Sequence, residues 1–243
     1  MNQVASGEQN DLRVEARFCG PSDSANGGYI SGLLAAHLGG SSRVTLRSPP
    51  PLERNLTMAS MGDAGVTLAA GGITVAEAER VHFTPDVPAP ISFAEAIAGA
   101  DEYRWKTGHP YPSCFVCGTG RGEDALRIFA GPVPGHDLVA APWVPDANVC
   151  GVDGRVLSEV VWAALDCPSG FGAIMNEEDV EHILLGQFTA AVRRSPRQGE
   201  RCVVTGWSRG RQGRKLYGGA AVFSEDGEIY GASEAVWIVP RMD

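Results

Sequence analysis

The sequence predicts an α+β fold made mostly of antiparallel strands, and three observations carry that prediction. Two short helical patterns interrupt long stretches of strand-like alternation. The strand candidates are separated by Gly, Pro or Asp, and 31 Gly and 16 Pro are too many for a helical bundle. Finally, one order of elements occurs twice along the chain, with little residue identity between the copies.

In the first copy a strand candidate at 13–19 precedes a helix over 26–39. Asn26 is a suitable N-cap, Tyr29, Ile30, Leu33, Leu34 and Leu38 form an apolar stripe, and Gly39 and Gly40 end it. Strands at 43–47, 52–60, 65–69 and 73–81 follow. Residues 83–112 read as a connector punctuated by Pro85, Pro88, Pro90, Pro110 and Pro112, with a short helix at 91–100 capped by Ser92.

In the second copy, strands at 126–132 and 138–144 precede a helix starting near Ser158. Strands at 183–194, 201–208, 215–224 and 228–239 complete it, and Glu225-Asp226-Gly227-Glu228 is a hairpin turn. The predicted boundaries are an N-terminal domain at 1–82, a linker at 83–112 and a C-terminal domain at 113–243.

Composition narrows the function classes. With 44% hydrophobic and 20% charged residues in 243, there is enough apolar material to offset chain entropy, which excludes a disordered or fibrous protein. Lys+Arg 20 against Asp+Glu 29 gives a net charge of −9, which argues against nucleic acid or an anionic membrane as partner. No stretch approaches the roughly 20 apolar residues that span a bilayer. The first fifteen residues are polar and of mixed charge, unlike a secretory signal, so six reduced cysteines in a cytoplasm are expected.

Several segments carry a family resemblance. Ser24-Ala-Asn-Gly-Gly-Tyr-Ile-Ser-Gly-Leu-Leu34 resembles the His/Asn-Gly-Gly-aromatic start of the hotdog helix in acyl-CoA thioesterases. Cys114-Phe-Val-Cys-Gly118 followed by Leu126-Arg-Ile-Phe129 is similar to the opening of PaaI-like thioesterase domains. Val160-Val-Trp-Ala-Ala-Leu-Asp-Cys167 resembles the helix in which such enzymes carry their acidic residue, and the closing stretch from Gly213 to Trp237 also resembles that superfamily. The resemblance implies a double hotdog, two sheets each wrapping a helix, acting on a small-molecule acyl thioester. It implies no cofactor beyond the coenzyme A of the substrate. A two-domain chain already contains the paired unit, and both a monomer and a homodimer of chains stay open.

Thioester cleavage needs a group to activate water or attack the carbonyl, and donors for the oxygen that becomes negative. Helix N-terminal amides are unpaired and lie at the positive end of the dipole, so Asn26, Gly27 and Gly28 suit that oxygen. Equally, the three make an ordinary capped turn. Asp166 lies in an apolar run where an unpaired charge is costly, so it needs a partner or a task; it is the candidate general base or nucleophile. Pro168 disfavours helix at Cys167, which predicts a kink or restart and leaves a cap as the other role for Asp166. Glu159 gains from the helix dipole at the start of its helix with no catalysis required.

Ala35 occupies the first-half position of Asp166, so one composite site per chain is expected, Asn26 to Gly28 facing Asp166. Its reciprocal, Ser158 and Glu159 facing Ala35, is expected to be silent. The resemblance adds Thr189, beside Gln187, as a water-positioning residue, and Arg214 with Lys215 as contacts for coenzyme A phosphates amid the basic residues of 193–215. Both are equally ordinary as strand and solvated-edge residues.

Cys114-x-x-Cys117 has no second pair to complete four zinc ligands; His109 is near, while Cys150, Cys167 and Cys202 are isolated in sequence. It reads as a knuckle opening the second domain, and no metal is expected. No Gly-x-Ser-x-Gly elbow supports a serine esterase, and no Asp and His segment supports a hydratase. The rival to a hydrolase is a hotdog protein that binds acyl-CoA or a related ligand without chemistry.

Overall fold

The computed structural model describes residues 9–241. For residues 1–8, the expectation that the polar start lacks a secretory signal lies outside the described residues. Among the described residues, eleven strands form one antiparallel sheet and three α-helices pack on it. In chain order these are β1 (Gln9–Arg13), α1 (Gly27–Leu38), β2 (Ser42–Leu46), β3 (Asn55–Ser60), β4 (Val66–Ala70), β5 (Ile73–Arg80) and α2 (Phe93–Asp101). Then come β6 (Gly131–Pro132), β7 (Val139–Trp143), α3 (Ser158–Ile174), β8 (Leu184–Val192), β9 (Cys202–Gln212), β10 (Lys215–Ser224) and β11 (Ile229–Ile238).

The sheet order is β1-β3-β4-β5-β2-β8-β11-β10-β9-β7-β6. Each helix's following strand, β2 after α1 and β8 after α3, meets the other at the seam, where Ser42 to Thr45 pair with Ala190 to Gln187. The halves therefore share a continuous sheet and press their helices together at its centre. This is the double-hotdog α+β architecture.

Local chemistry explains the elements. Asn26 caps α1 by accepting from the Tyr29 amide at 2.9 Å, and Ser92 and Glu95 form a reciprocal capping box on α2. Gly227, at φ 85°, makes the β10–β11 turn. In α3, 14 of 17 residues are buried, because the helix is enclosed by α1 on one side and by β9, β10 and β11 on the other. α2 and the segment before it cover the opposite face of the C-terminal half, where Ile91, Ala96, Leu138, Val203 and Phe223 form a second core.

Three expectations are corrected. The helix does not break at Pro168: α3 runs unbroken to Ile174. Gly206 and Gly218 let β9 and β10 touch its backbone there, since a Cβ on either would collide with the Pro168 or Ser169 carbonyl. That enclosure outweighs the hydrogen bond that proline removes, about 3 kcal/mol in an exposed helix.

The strand expected at 126–132 shrinks to Gly131–Pro132. Leu126 and Ile128 donate instead to the Phe115 and Val116 carbonyls at 2.8 and 2.9 Å, with Arg127 at φ 56° between them. The strand expected at 13–19 ends at Arg13. Glu53 takes the Ala16 amide at 2.7 Å and the chain turns through a short 3-10 segment, stacking Phe18 on Tyr29 at 4.0 Å.

Candidate active site

The two central helices run antiparallel and touch through glycine. A Cβ on Gly28 would stand 2.6 Å from Asp166 Cβ and 2.7 Å from the Trp162 carbonyl oxygen; one on Gly32 would stand 2.5 Å from Glu159 Cα. Only glycine at both positions, one turn apart, permits this approach. It brings the α1 N-terminus against the middle of α3.

The Gly28 amide donates to Asp166 Oδ2 at 2.8 Å, and this contact is buried. Asp166 is 2% exposed and its Oδ1 has no hydrogen-bond partner among the described residues. Burial pushes its pKa up to about 7, against the Gly28 amide and the Asn26 side chain, which both favour the charged form. One oxygen is thus held and the other is bare.

Asp166 lines a cavity of about 100 Å³. Its walls are mainly apolar and include Trp105, Phe171, Ile183, Leu185 and Trp237, with Asn26, Gly27, His109 and Asp166 as polar points. Trp237 is anchored by donating its indole N–H to Ser169 Oγ at 3.0 Å. Trp105 and Phe171 pack with ring centres 5.1 Å apart. The linker, read from sequence as a connector, supplies a whole wall through Trp105, His109, Pro110 and Tyr111.

His109 is the polar group that sequence reasoning missed. Its Nδ1 accepts from the Tyr111 amide at 2.8 Å, which places the proton on Nε2. Nε2 is buried and without partner among the described residues, and burial lowers the ring's pKa, which keeps it neutral. A neutral imidazole with a bare N–H in an apolar cavity is a donor awaiting an acceptor.

The amides at the tip of α1 are also reassigned. Gly28 N–H is engaged by Asp166 and Tyr29 N–H by the Asn26 side chain. The Asn26 amide donates to the Phe18 carbonyl at 2.8 Å. Gly27 N–H alone in this turn has no partner among the described residues, and Gly27 lines the cavity. Gly28, expected as a donor to substrate, instead fixes the carboxylate.

Other expected residues fall elsewhere. Phe188 turns to the helices, its ring 5.7 Å from that of Trp162, so Gln187 and Thr189 on either side project from the opposite face of the sheet. There Gln187 donates to Thr45 Oγ1 at 3.1 Å, and Thr189 sits in register between Arg43 and Glu234, away from Asp166.

Lys215 opens β10 and Arg214 donates to the Val239 carbonyl at 3.1 Å. Neither lines the cavity, and the depression beside Arg214 is rimmed by Glu178, Asp179 and Glu181. Of the basic run, Arg194, Arg201, Arg209 and Arg211 are paired with Glu228, Glu225, Glu234 and Glu177.

Cys167, isolated in sequence, is not isolated in space. It stands with Cys114 and Cys117 in a buried trio whose sulfurs lie within 4.8 Å of one another, and all three line the cavity. Hydrogen bonds from the Cys117 and Cys167 thiols hold Cys114 well below the usual thiol range.

No protein-family model and no curated protein matches the chain. Solved structures do. The TesB protein of Mycobacterium avium subsp. paratuberculosis superposes with TM-score 0.64 at 14% identity, covering 99% of this chain and 96% of that one. The acyl-CoA thioesterase II TesB2 of Mycobacterium marinum gives 0.62 at 12%, covering 100% and 96%. A protein of unknown function with a hot dog fold from Alicyclobacillus acidocaldarius gives 0.54 at 13%, covering 99% and 96%. Matches spanning both halves at such low identity identify the architecture: this chain has a double-hotdog fold.

Proposed function

We propose that the chain hydrolyses acyl thioesters at the junction of α1 and α3. The observation that carries this reading is the split state of the Asp166 carboxylate. Oδ2 is fixed by the Gly28 amide, while Oδ1 is buried without a hydrogen-bond partner among the described residues, and Asp166 lines an apolar cavity together with two unpaired donors, Gly27 N–H and His109 Nε2–H. A thioester carbonyl in that cavity meets the donors through its oxygen, and the negative charge formed on attack is stabilised where water is scarce. Asp166 Oδ1 takes a proton from the attacking water, or itself attacks to give an anhydride that water then opens. The thiolate of coenzyme A leaves and takes up a proton.

The thioesterase neighbours support the same class of substrate, and the mainly apolar walls of the cavity suit an acyl group.

A panel of short, long and aromatic acyl-CoAs assayed for free thiol tests this. Turnover of at least one member is expected, and Asp166→Asn, which keeps an acceptor for Gly28 N–H, is expected to lower kcat by about 10²–10⁴. Binding without thiol release from any member would favour the non-catalytic rival. Label from ¹⁸O water found in Asp166 after a single turnover would establish the anhydride route with attack of water at the aspartyl carbon, since general-base catalysis cannot place label there.

A further inference from the structure

The cysteine trio has no place in the chemistry above, yet it is built as a site. We propose that Cys114, Cys117 and Cys167 bind one zinc ion through three thiolates, with the fourth coordination position open to the cavity. All six cysteines are free thiols, and Cys114 Sγ lies 3.7 Å from Cys167 Sγ. A disulfide needs about 2.05 Å. Two sulfurs bonded at about 2.3 Å to one tetrahedral zinc stand about 3.8 Å apart. The observed separation matches the edge of a zinc tetrahedron, and the third sulfur completes a triangle within 4.8 Å.

The scaffold holds these sulfurs without help from a metal. Cys114 to Cys117 form a tight knuckle closed by the Gly118 amide donating to the Cys114 carbonyl at 2.9 Å. A Cβ on Gly118 would stand 2.5 Å from the Pro112 carbonyl oxygen, so the turn demands glycine. Tyr103 Oη secures the far side by donating to the Cys117 carbonyl at 3.3 Å. Cys167 comes from α3, wedged between α1 and the sheet.

Three soft ligands from one loop and one helix select zinc over magnesium or calcium, which require oxygen. His109 is not the fourth ligand, because its Nε2 carries the proton. All three cysteines line the cavity, so the fourth position faces it and takes water or an incoming thiol. On binding, the thiol protons are released to solvent as the Zn–S bonds form.

The test uses the reduced full chain, stripped of metal and then given zinc without substrate. About one zinc per chain is expected by elemental analysis, with the melting temperature rising as zinc is added. Cobalt in its place should give thiolate-to-cobalt charge-transfer absorption with the intense visible bands of a tetrahedral site. Cys167→Ser and Cys117→Ser should each lose zinc at least about tenfold, whereas Cys202→Ser, a buried thiol outside the trio, should keep it. Asp166→Asn should lose turnover and keep zinc, which separates failure of this proposal from failure of the hydrolase reading. A folded wild type that takes up no zinc would overturn the assignment. So would copper bound in zinc's place, zinc retained by Cys167→Ser, or a native Cys114–Cys167 disulfide.

Discussion

The two ends of the central helix pair are built alike and equipped differently. Gly28 lies against Ala163 and Gly32 against Glu159, so the backbones approach equally at both places. At the α1 tip, the N-cap side chain is present, the amides are buried and a carboxylate receives one of them. At the α3 tip, the N-cap is Leu157, 39% exposed and without a side chain that caps, and the residue matching Asp166 across the pair is Ala35. The close approach is therefore a packing solution that both ends need. The acid, the bare donors and the cavity occur at one end, and they are what chemistry requires beyond packing. For the proposed hydrolysis one such end suffices, and the other is free to be ordinary core.

The sharpest way to break this comparison is to neutralise the acid at each end. Asp166→Asn is expected to reduce thioester turnover by about 10²–10⁴, with a melting temperature at or above wild type, since an amide costs less to bury than a carboxylate. Glu159→Gln at the other tip should leave turnover within about twofold. Equal losses would mean that both ends work and that the asymmetry is only apparent.

A second test concerns the donor that shares the cavity with Asp166. His109→Phe keeps an aromatic ring, one atom larger, without an N–H and is expected to lower kcat by about 10²–10³, the usual cost of removing one oxyanion donor. A variant that changes KM alone would make His109 a wall of the cavity only.

A third test separates packing from function. Gly28→Ala and Gly32→Ala each force a methyl group into the helix contact and should destabilise by about 1–3 kcal/mol, read as a drop in urea midpoint. Assayed where both variants remain folded, only Gly28→Ala should lose turnover, because it moves the amide that holds Asp166 Oδ2. Parallel loss in both would assign the defect to helix spacing.

Much of this asymmetry was legible in the residues, and what was not has a physical reason. Asn26 as cap, the apolar stripe of α1 and the turn at Gly227 are local signals, and each formed as the local chemistry dictates. An aspartate directly after the apolar run Val160 to Leu165 announced that something compensates for it. Which amide answers could not be read, because Gly28 and Asp166 are brought together by helix packing across 138 residues. The same holds for Cys167, which reaches Cys114 only through the fold. Pro168 misled because enclosure by two glycine-bearing strands outweighs a propensity measured on exposed helices. The segment 126–132 misled because the amides of Leu126 and Ile128 pair with carbonyls of the cysteine knuckle in place of a neighbouring strand. His109 lay in the least regular stretch of the chain. Its one hint was a concentration of aromatic residues, Tyr103, Trp105 and Tyr111, unusual for a solvated linker.

The smallest expected effect belongs to the silent tip. Leu157 stands where a helix prefers Asn, Asp, Ser or Thr, its backbone already at φ −59° and ψ 140°. Leu157→Asn should stabilise the protein by about 0.5–1 kcal/mol by capping a free α3 amide, offset in part by lost contact with the loop at Gly151. Urea denaturation measures the gain, and turnover should not change. The converse, Asn26→Leu, removes a cap of the same kind at the other tip, where the side chain also faces Asp166. If the two substitutions prove to be mirror images in stability but only Asn26→Leu costs activity, capping and catalysis are separable at the α1 tip. If Leu157→Asn alters turnover as well, the α3 tip communicates with the cavity and cannot be treated as core.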